Sequence, residues 1–368
     1  MSNPLEHQLD YPWSAPPVAG TVTTLRPGVH WLRMPLPFAL DHINLWLLDD
    51  EIDGRPGWTI IDCGVASDPT RAAWERLFDS VLDGRPVLRV IATHYHPDHF
   101  GLADWLTRGG ARQRWRAPLW MTFGEYAYGR LLSEGGGASG ERSAAHFERH
   151  GLSDPAALEQ MRQRGAGYYA RLVPAVPPEF HRVRAADQIV IGTPRARRVF
   201  RAVVGFGHAP EHLSLHCAAS DLLISGDMVL PRISTNIAVH EVEPEGNPLP
   251  DYLGSLDHYL RLPAATLVLP SHGLPFTGLH LRVAQQHAHH RARLAEVLAA
   301  CAEPRSAADM LPVLFRRQLD LHQTSFAMGE AIAHLHALWF DGSLVRTLEP
   351  DGVYRFAAAA QAQAASAR

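Results

Sequence analysis

With 368 residues, 46% of them hydrophobic, the chain can bury a large core without stapling, and at about 150 residues per domain it has room for two domains. Its 34 basic and 38 acidic residues leave a net charge of −4, so no basic surplus points to a polyanion partner. Every basic residue is arginine, and a chain without lysine excludes Schiff-base chemistry, pyridoxal-phosphate attachment and a P-loop.

Residues 1–24 read as a polar, proline-rich leader lacking the basic and apolar regions of a secretion signal. The runs 43–48 (INLWLL) and 58–62 (WTIID) are apolar strands around a turn. Residues 68–82 read as a helix with Asp68 as N-cap, Pro69 in the first turn, and Ala73, Leu77 and Val81 along one face. A buried strand at 87–92 then runs into Thr93-His94-Tyr95-His96-Pro97-Asp98-His99. Polar residues at the carboxyl end of a strand in a strand–helix–strand unit are the usual α/β placement of a site.

From 103 to 185 the pattern is mainly helical and rich in tyrosine and arginine; it reads as an inserted cap, with GGGASGE at 135–141 a mobile loop. Strands return at 188–191, 199–204, 213–217, 222–224 and 266–269. Helices at 279–301, 306–319 and 324–339 precede short strand-like runs at 344–347 and 353–356, a winged-helix-like order. The boundaries expected are therefore a leader at 1–24, an α/β domain at 25–278, a mainly helical domain at 279–356 and a disordered tail at 357–368. No stretch of 18 apolar residues occurs, so no membrane span is expected. Three scattered cysteines, Cys63, Cys217 and Cys301, suit reduced thiols in the cytoplasm.

Histidine stands out, with 22 residues. His94, His96, Asp98 and His99 put four candidate ligands within six residues, and Pro97 stops the strand ladder from continuing through them. Histidines on a solvated turn would need four coincidences of residue type between apolar segments. Nitrogen and carboxylate donors in this density suit zinc or iron.

The run HYHPDH resembles the HxHxDH signature of the metallo-β-lactamase superfamily, and further landmarks follow in order. Gly207-His208, Ser225-Gly226-Asp227 and Ser271-His272-Gly273 each resemble a later motif of that family, and Asp62-Cys63-Gly64 its early Asp-x-Gly turn. The order of the C-terminal elements is similar to the lactamase-beta-2-like subgroup. The resemblance implies a four-layer αβ/βα sandwich, with a winged-helix-like C-terminal domain. It also implies two divalent ions, zinc above all with iron or manganese as alternatives: one on His94, His96 and His208, the other on Asp98, His99 and His272, with Asp227 bridging. A metal-bound hydroxide would be the nucleophile, with Asp98 orienting it or taking its proton. Asp62 would orient a ligand imidazole or cap a turn. Tyr95 would face substrate or pack inward, and His212 would reach the pocket or make an ordinary polar contact.

The expected activity is hydrolysis of an ester, thioester or lactone carbonyl in a small molecule. A phosphodiesterase or ribonuclease and a mononuclear iron persulfide dioxygenase are the alternatives. Nucleic acid fits poorly, because acidic residues outnumber arginines after 305. His96 argues against the flavodiiron branch, which has a carboxylate there. The missing lysine weakens the analogy with glyoxalase-II-like enzymes. His287, His289 and His290 read as a solvated helix face, His334 and His336 as packing or surface residues.

Overall fold

The protein is described from a computed structural model covering residues 3–38, 40–136, 140–164, 167–316 and 318–359. Residues 137–139 of the expected loop and 360–368 of the expected tail lie outside the described residues.

Two sheets form the centre. The first has seven strands in sequence order: β1 (Thr23–Arg26), β2 (Val29–Pro35), β3 (His42–Ile52), β4 (Arg55–Ile61), β5 (Val87–Ile91), β6 (Leu119–Met121) and β7 (His181–Arg182). Pairing is antiparallel from β1 to β4 and parallel from β4 to β7. The second sheet, β8 (Gln188–Ile191), β9 (Arg198–Gly205), β10 (His212–Cys217), β11 (Leu222–Gly226) and β12 (Leu267–Pro270), runs in the order β12-β11-β10-β9-β8, with β11 and β12 parallel.

Successive side chains of a strand point to opposite faces, and in β3 both faces are covered. Trp46 and Leu48 join Trp31, Phe200, Leu215 and Ile224 between the sheets. Leu45 and Leu47 point the other way, into a layer with Trp74, Leu77 and Phe78 of α1 (Asp68–Ser80). Burial on both sides explains why INLWLL shows no polar alternation. The N-cap of α1 is Ser67, one residue before the expected Asp68: the extended Ser67 accepts the Thr70 N–H on its Oγ at 3.3 Å, and Asp68 sits inside the first turn where its charge still favours the helix N-terminus.

The stretch 103–185 is less of a cap than its composition suggests. The short helices α2 (Pro97–Phe100) and α3 (Ala103–Thr107) lead to β6 and, after four more helices, to β7, and both strands extend the first sheet. Strands of three and two residues carry too little pattern to be read from sequence. The helices between them divide. α4 (Phe123–Ser133) and α7 (Gly167–Leu172) pack on the site, and Phe147, Leu158 and Met161 of α5 (Gly140–Arg149) and α6 (Pro155–Arg164) join the C-terminal core.

That core covers the outer face of the second sheet and completes the four layers. Leu223, Val268, Leu249 of α8 (Pro248–Leu256), Val283 and Val297 of α9 (Leu279–Ala300), Met310 of α10 (Ala307–Leu314) and Ile332 of α11 (Leu321–Phe340) form one continuous cluster. α10 and α11 each open on a capping box, Ser306 with Asp309 and Asp320 with Gln323. The hairpin β13 (Leu344–Leu348) and β14 (Tyr354–Ala358) follows, so the first residues of the expected tail are paired strand. The leader is anchored too: Asn3 donates to Gln285 of α9, and Leu9 is buried in the same core. Because α11 covers α9, the expected solvated histidine face is partly interior. His290 is buried with Nδ1 3.3 Å from His334 Nε2, and only His287 pairs outward, with Asp257 at 3.0 Å.

Burial gives the junction of α5 and α11 an acid-sensitive element. His146 and His150 lie beside His336, and burial pushes them down to about 3 and about 4. The hydrogen bond from His150 Nδ1 to the His146 carbonyl works against this, His336 and Arg346 further disfavour charge on His150, and Glu245 favours it. The unfolded chain binds protons on these rings below about pH 6.5, where the native state does not, so stability falls as pH drops from about 6.5 towards 4. The expected slope is up to about 1.4 kcal/mol per pH unit for each ring. Denaturant titrations between about pH 4 and 6.5 should give a shallower slope for His150→Phe than for the natural chain; parallel slopes would refute the assignment.

Candidate metal centre

The first loop of the site opens from β5. Asp62, at the end of β4, adopts a left-handed φ of 63° and turns its carboxylate across to that loop. It accepts the Thr93 N–H at 2.7 Å, the Thr93 hydroxyl at 2.9 Å and His99 Nδ1–H at 2.8 Å. The one carboxylate thus bonds both the turn at Thr93 and the His99 imidazole.

Three other loops converge on the first. Gly207 precedes His208 with φ 91°, and a Cβ there would lie 2.3 Å from the Pro248 carbonyl oxygen. Gly226 precedes Asp227 with φ 54°, and a Cβ there would lie 2.4 Å from the His212 ring. Glycine is thus required in both motifs by close approach as well as by φ. His212 accepts the Asp227 N–H on Nε2 at 3.1 Å, so it supports Asp227 from behind and does not line the cavity at the cluster. The turn 270–273 carrying His272 hangs on Asn44, whose amide donates to the carbonyls of Pro270 at 2.8 Å and Gly273 at 2.9 Å. Its oxygen accepts from Trp31 and Arg33.

All seven expected ligand residues meet in one place. His94 Nε2 lies 2.9 Å from His96 Nδ1 and 3.2 Å from His208 Nε2. His272 Nε2 lies 3.3 Å from Asp98 Oδ2, and His99 Nε2 lies 3.6 Å from the same atom. Asp227 faces both groups: Oδ2 is 3.5 Å from His208 Nε2, and Oδ1 is 3.4 Å from His99 Nε2 and 3.6 Å from His272 Nε2. Neighbouring ligands on a tetrahedron with Zn–N bonds of about 2.0–2.1 Å are about 3.3 Å apart, close to these spacings.

Protonation also fits a cation. Nδ1–H of His208 donates to the Asn236 carbonyl and that of His272 to the His42 carbonyl, each at 2.8 Å, while His99 uses Asp62. With Nδ1 protonated, each Nε2 is the ring atom turned to the cluster, and a cation there would take the place of any proton it carries. Burial, reinforced by neighbouring rings, holds His94 and His96 well below the usual histidine value and therefore neutral. Burial opposes charge on His99 and His272 as well, but Asp98 and Asp227 outweigh it, holding His99 well above its usual value and His272 up at about 10. His99 Nε2 and Asp227 Oδ1 are buried atoms without a hydrogen-bond partner. His94, His96 and His208 could hold one ion, and Asp98, His99 and His272 another.

Sequence reasoning missed Glu125. Fully buried on α4, it accepts the Tyr95 N–H at 2.9 Å and the Glu211 N–H at 2.6 Å, joining the His94–His96 loop to the loop that follows His208. Glu211 reciprocates by accepting the Gly124 N–H at 2.7 Å. Burial pushes the Glu125 carboxyl up to about 8 against the lowering effect of these two N–H groups. Glu125→Gln turns an amide N–H towards one of the two donors, and a loss of about 1–3 kcal/mol is expected in denaturant titrations. Unchanged stability would remove this bracing role. Tyr95 packs inward, its ring 4.7 Å from those of Tyr128 and His96.

A cavity of about 320 Å³ opens on the cluster and is floored by His96, Asp98, His208, Asp227 and His272. A larger cleft of about 640 Å³ shares only His208 with the cluster.

The family model for the metallo-beta-lactamase superfamily matches residues 40–272, and the model for the metallo-beta-lactamase-like C-terminal domain matches 294–359. A solved beta-lactamase domain protein from Burkholderia ambifaria is 57% identical with a TM-score of 0.91, covering 97% of this chain and 100% of that one. A metallo-beta-lactamase family protein from Thermus thermophilus is 27% identical with a TM-score of 0.73, covering 91% and 100%. The probable metallo-hydrolase YqjP of Bacillus subtilis is 23% identical over 350 residues, 88% of this chain and 96% of that protein.

Proposed function

The chain belongs to the metallo-β-lactamase superfamily, and on that footing we propose that it is a dinuclear metal-dependent hydrolase acting on an ester, thioester or lactone carbonyl in the cytoplasm. The observation that carries this reading is the division of the Asp227 carboxylate, one oxygen towards His208 and the other towards His99 and His272. His94, His96 and His208 would hold one ion and Asp98, His99 and His272 the other, with zinc suited to the mixed nitrogen and oxygen donors. Two ions so held supply Lewis acidity and bring the ionisation of water near neutral pH.

The chain's own groups do the rest. Asp62, Asn236 and the His42 carbonyl fix the tautomers and ring orientations of His99, His208 and His272. Asp98, the more exposed of the two cluster carboxylates, stands at the cavity floor where it can take a proton from water. The three buried free cysteines, Cys63, Cys217 and Cys301, suit a reducing compartment. Among the described residues no helix is long and apolar enough to cross a membrane.

Chelation should abolish hydrolysis of a p-nitrophenyl ester, with a loss on the order of 10³-fold, and added Zn²⁺ should restore it. Full activity in metal-stripped protein would overturn the reading. One bound iron with thiol-dependent oxygen uptake would instead identify the dioxygenase.

A further inference from the structure

The walls of the cavity are chemically unlike its floor. Phe38 and Leu40 come from the β2–β3 connection, Tyr168 and Leu172 from α7, Ile233 from the loop after β11, and Phe326 from α11. Four separate parts of the chain, two connections and two helices, thus supply apolar surface to one space. Phe326 of α11, 48% exposed, is part of the lining of this cavity. The helical C-terminal region therefore also shapes the site.

No guanidinium lines this cavity among the described residues. Two arginines approach its loops from behind and are engaged there. Arg282 donates to the carbonyls of Leu230 and Ile233, and Arg33 to the carbonyl of Gly273 and the side chain of Asn44. Among the described residues, the charged groups facing the space are those of the floor. An anionic substrate arm would lose its hydration without gaining a cationic partner along the wall.

From this wall we infer that the substrate carries an uncharged apolar arm, alkyl or aryl, on its carbonyl, and that Phe326 and Leu172 set the length preference. The inference rests on the proposed hydrolase for the reacting end and on the wall alone for the arm. A cavity of about 320 Å³, at the lower end of small-ligand sites, suits a medium-length arm.

Two readouts test it with the purified full-length protein. The first is calorimetric binding of methyl ketones of increasing length, which present a carbonyl and an apolar arm but cannot be hydrolysed. The second is kcat/KM for p-nitrophenyl esters of matching length, with p-nitrophenyl monoesters of dicarboxylic acids as the anionic-arm comparison. Affinity should rise roughly two- to fourfold per methylene until the cavity is filled, and Phe326→Ala should weaken the longest ketone by roughly fivefold while flattening both series. Phe340→Ala, similarly exposed on α11 but outside the cavity, should leave both series unchanged.

Affinity indifferent to chain length, or a higher kcat/KM for the carboxylate-ended esters than for alkyl esters of the same length, would overturn the inference. Ester hydrolysis without length dependence would sink the apolar arm and leave the hydrolase standing. Length-dependent ketone binding with no ester turnover in zinc-loaded protein would support the arm and sink the hydrolase.

Discussion

Replacing Asp227 by alanine is expected to lower bound metal from two equivalents to one or none and to cut hydrolysis on the order of 10³-fold or more. Among the described residues no other side chain faces both ligand groups in this way, with Oδ2 at 3.5 Å from His208 and Oδ1 at 3.4 Å from His99. Its loss removes an anionic donor from each group and leaves the imidazoles to hold two dications close together with only Asp98 as counter-charge. The fold should survive, because the backbone at 227 keeps its partners: its N–H donates to His212, and its carbonyl accepts from Thr235. Circular dichroism should therefore be unchanged while metal analysis and activity collapse. Asp227→Ala protein retaining two equivalents of metal would contradict the bridging role.

The second large effect is expected at Asp62, which touches no substrate and faces the cluster only through His99. Its carboxylate accepts three hydrogen bonds in a fully buried setting. Asp62→Asn keeps one acceptor and turns an amide donor towards a group that also donates, either Thr93 or His99 Nδ1. If His99 gives up its Nδ1 proton, its tautomer reverses and Nε2 carries the proton in place of the lone pair. Metal affinity is expected to fall roughly 10- to 100-fold, as with other groups that orient metal-binding histidines. Because a buried donor is left unsatisfied, thermal stability should also fall, by about 1–3 kcal/mol. An Asp62→Asn protein with natural metal affinity would mean that Asp62 only ties the turn.

The seven residues of the candidate site were readable as a group because each lies in a short motif at the end of an apolar strand, where residue type and position carry the signal together. His94 to His99 follow β5, Asp227 follows β11 and His272 follows β12. The bracing residues had no such local signature. Asn44 reaches Gly273 across 229 positions, and Glu125 reaches Glu211 across 86. An asparagine inside INLWLL was the one available hint, since a polar residue in a strand covered on both faces must find partners. Glu125 sits in a helix whose pattern places it no differently from a surface glutamate. β6 and β7 were missed because so few residues show no period, and their membership in the sheet is decided by the neighbouring β5. The apolar walls of the cavity also escaped sequence reading, because Phe38, Leu172 and Phe326 become neighbours only when three distant segments fold together.

The most direct test is to locate the metal in crystals of the purified protein by anomalous scattering. The account predicts two ions on the order of 3.5–4 Å apart, one bonded to His94, His96 and His208, the other to Asp98, His99 and His272, and both touching Asp227. A single ion, or ions bound away from these side chains, would contradict it.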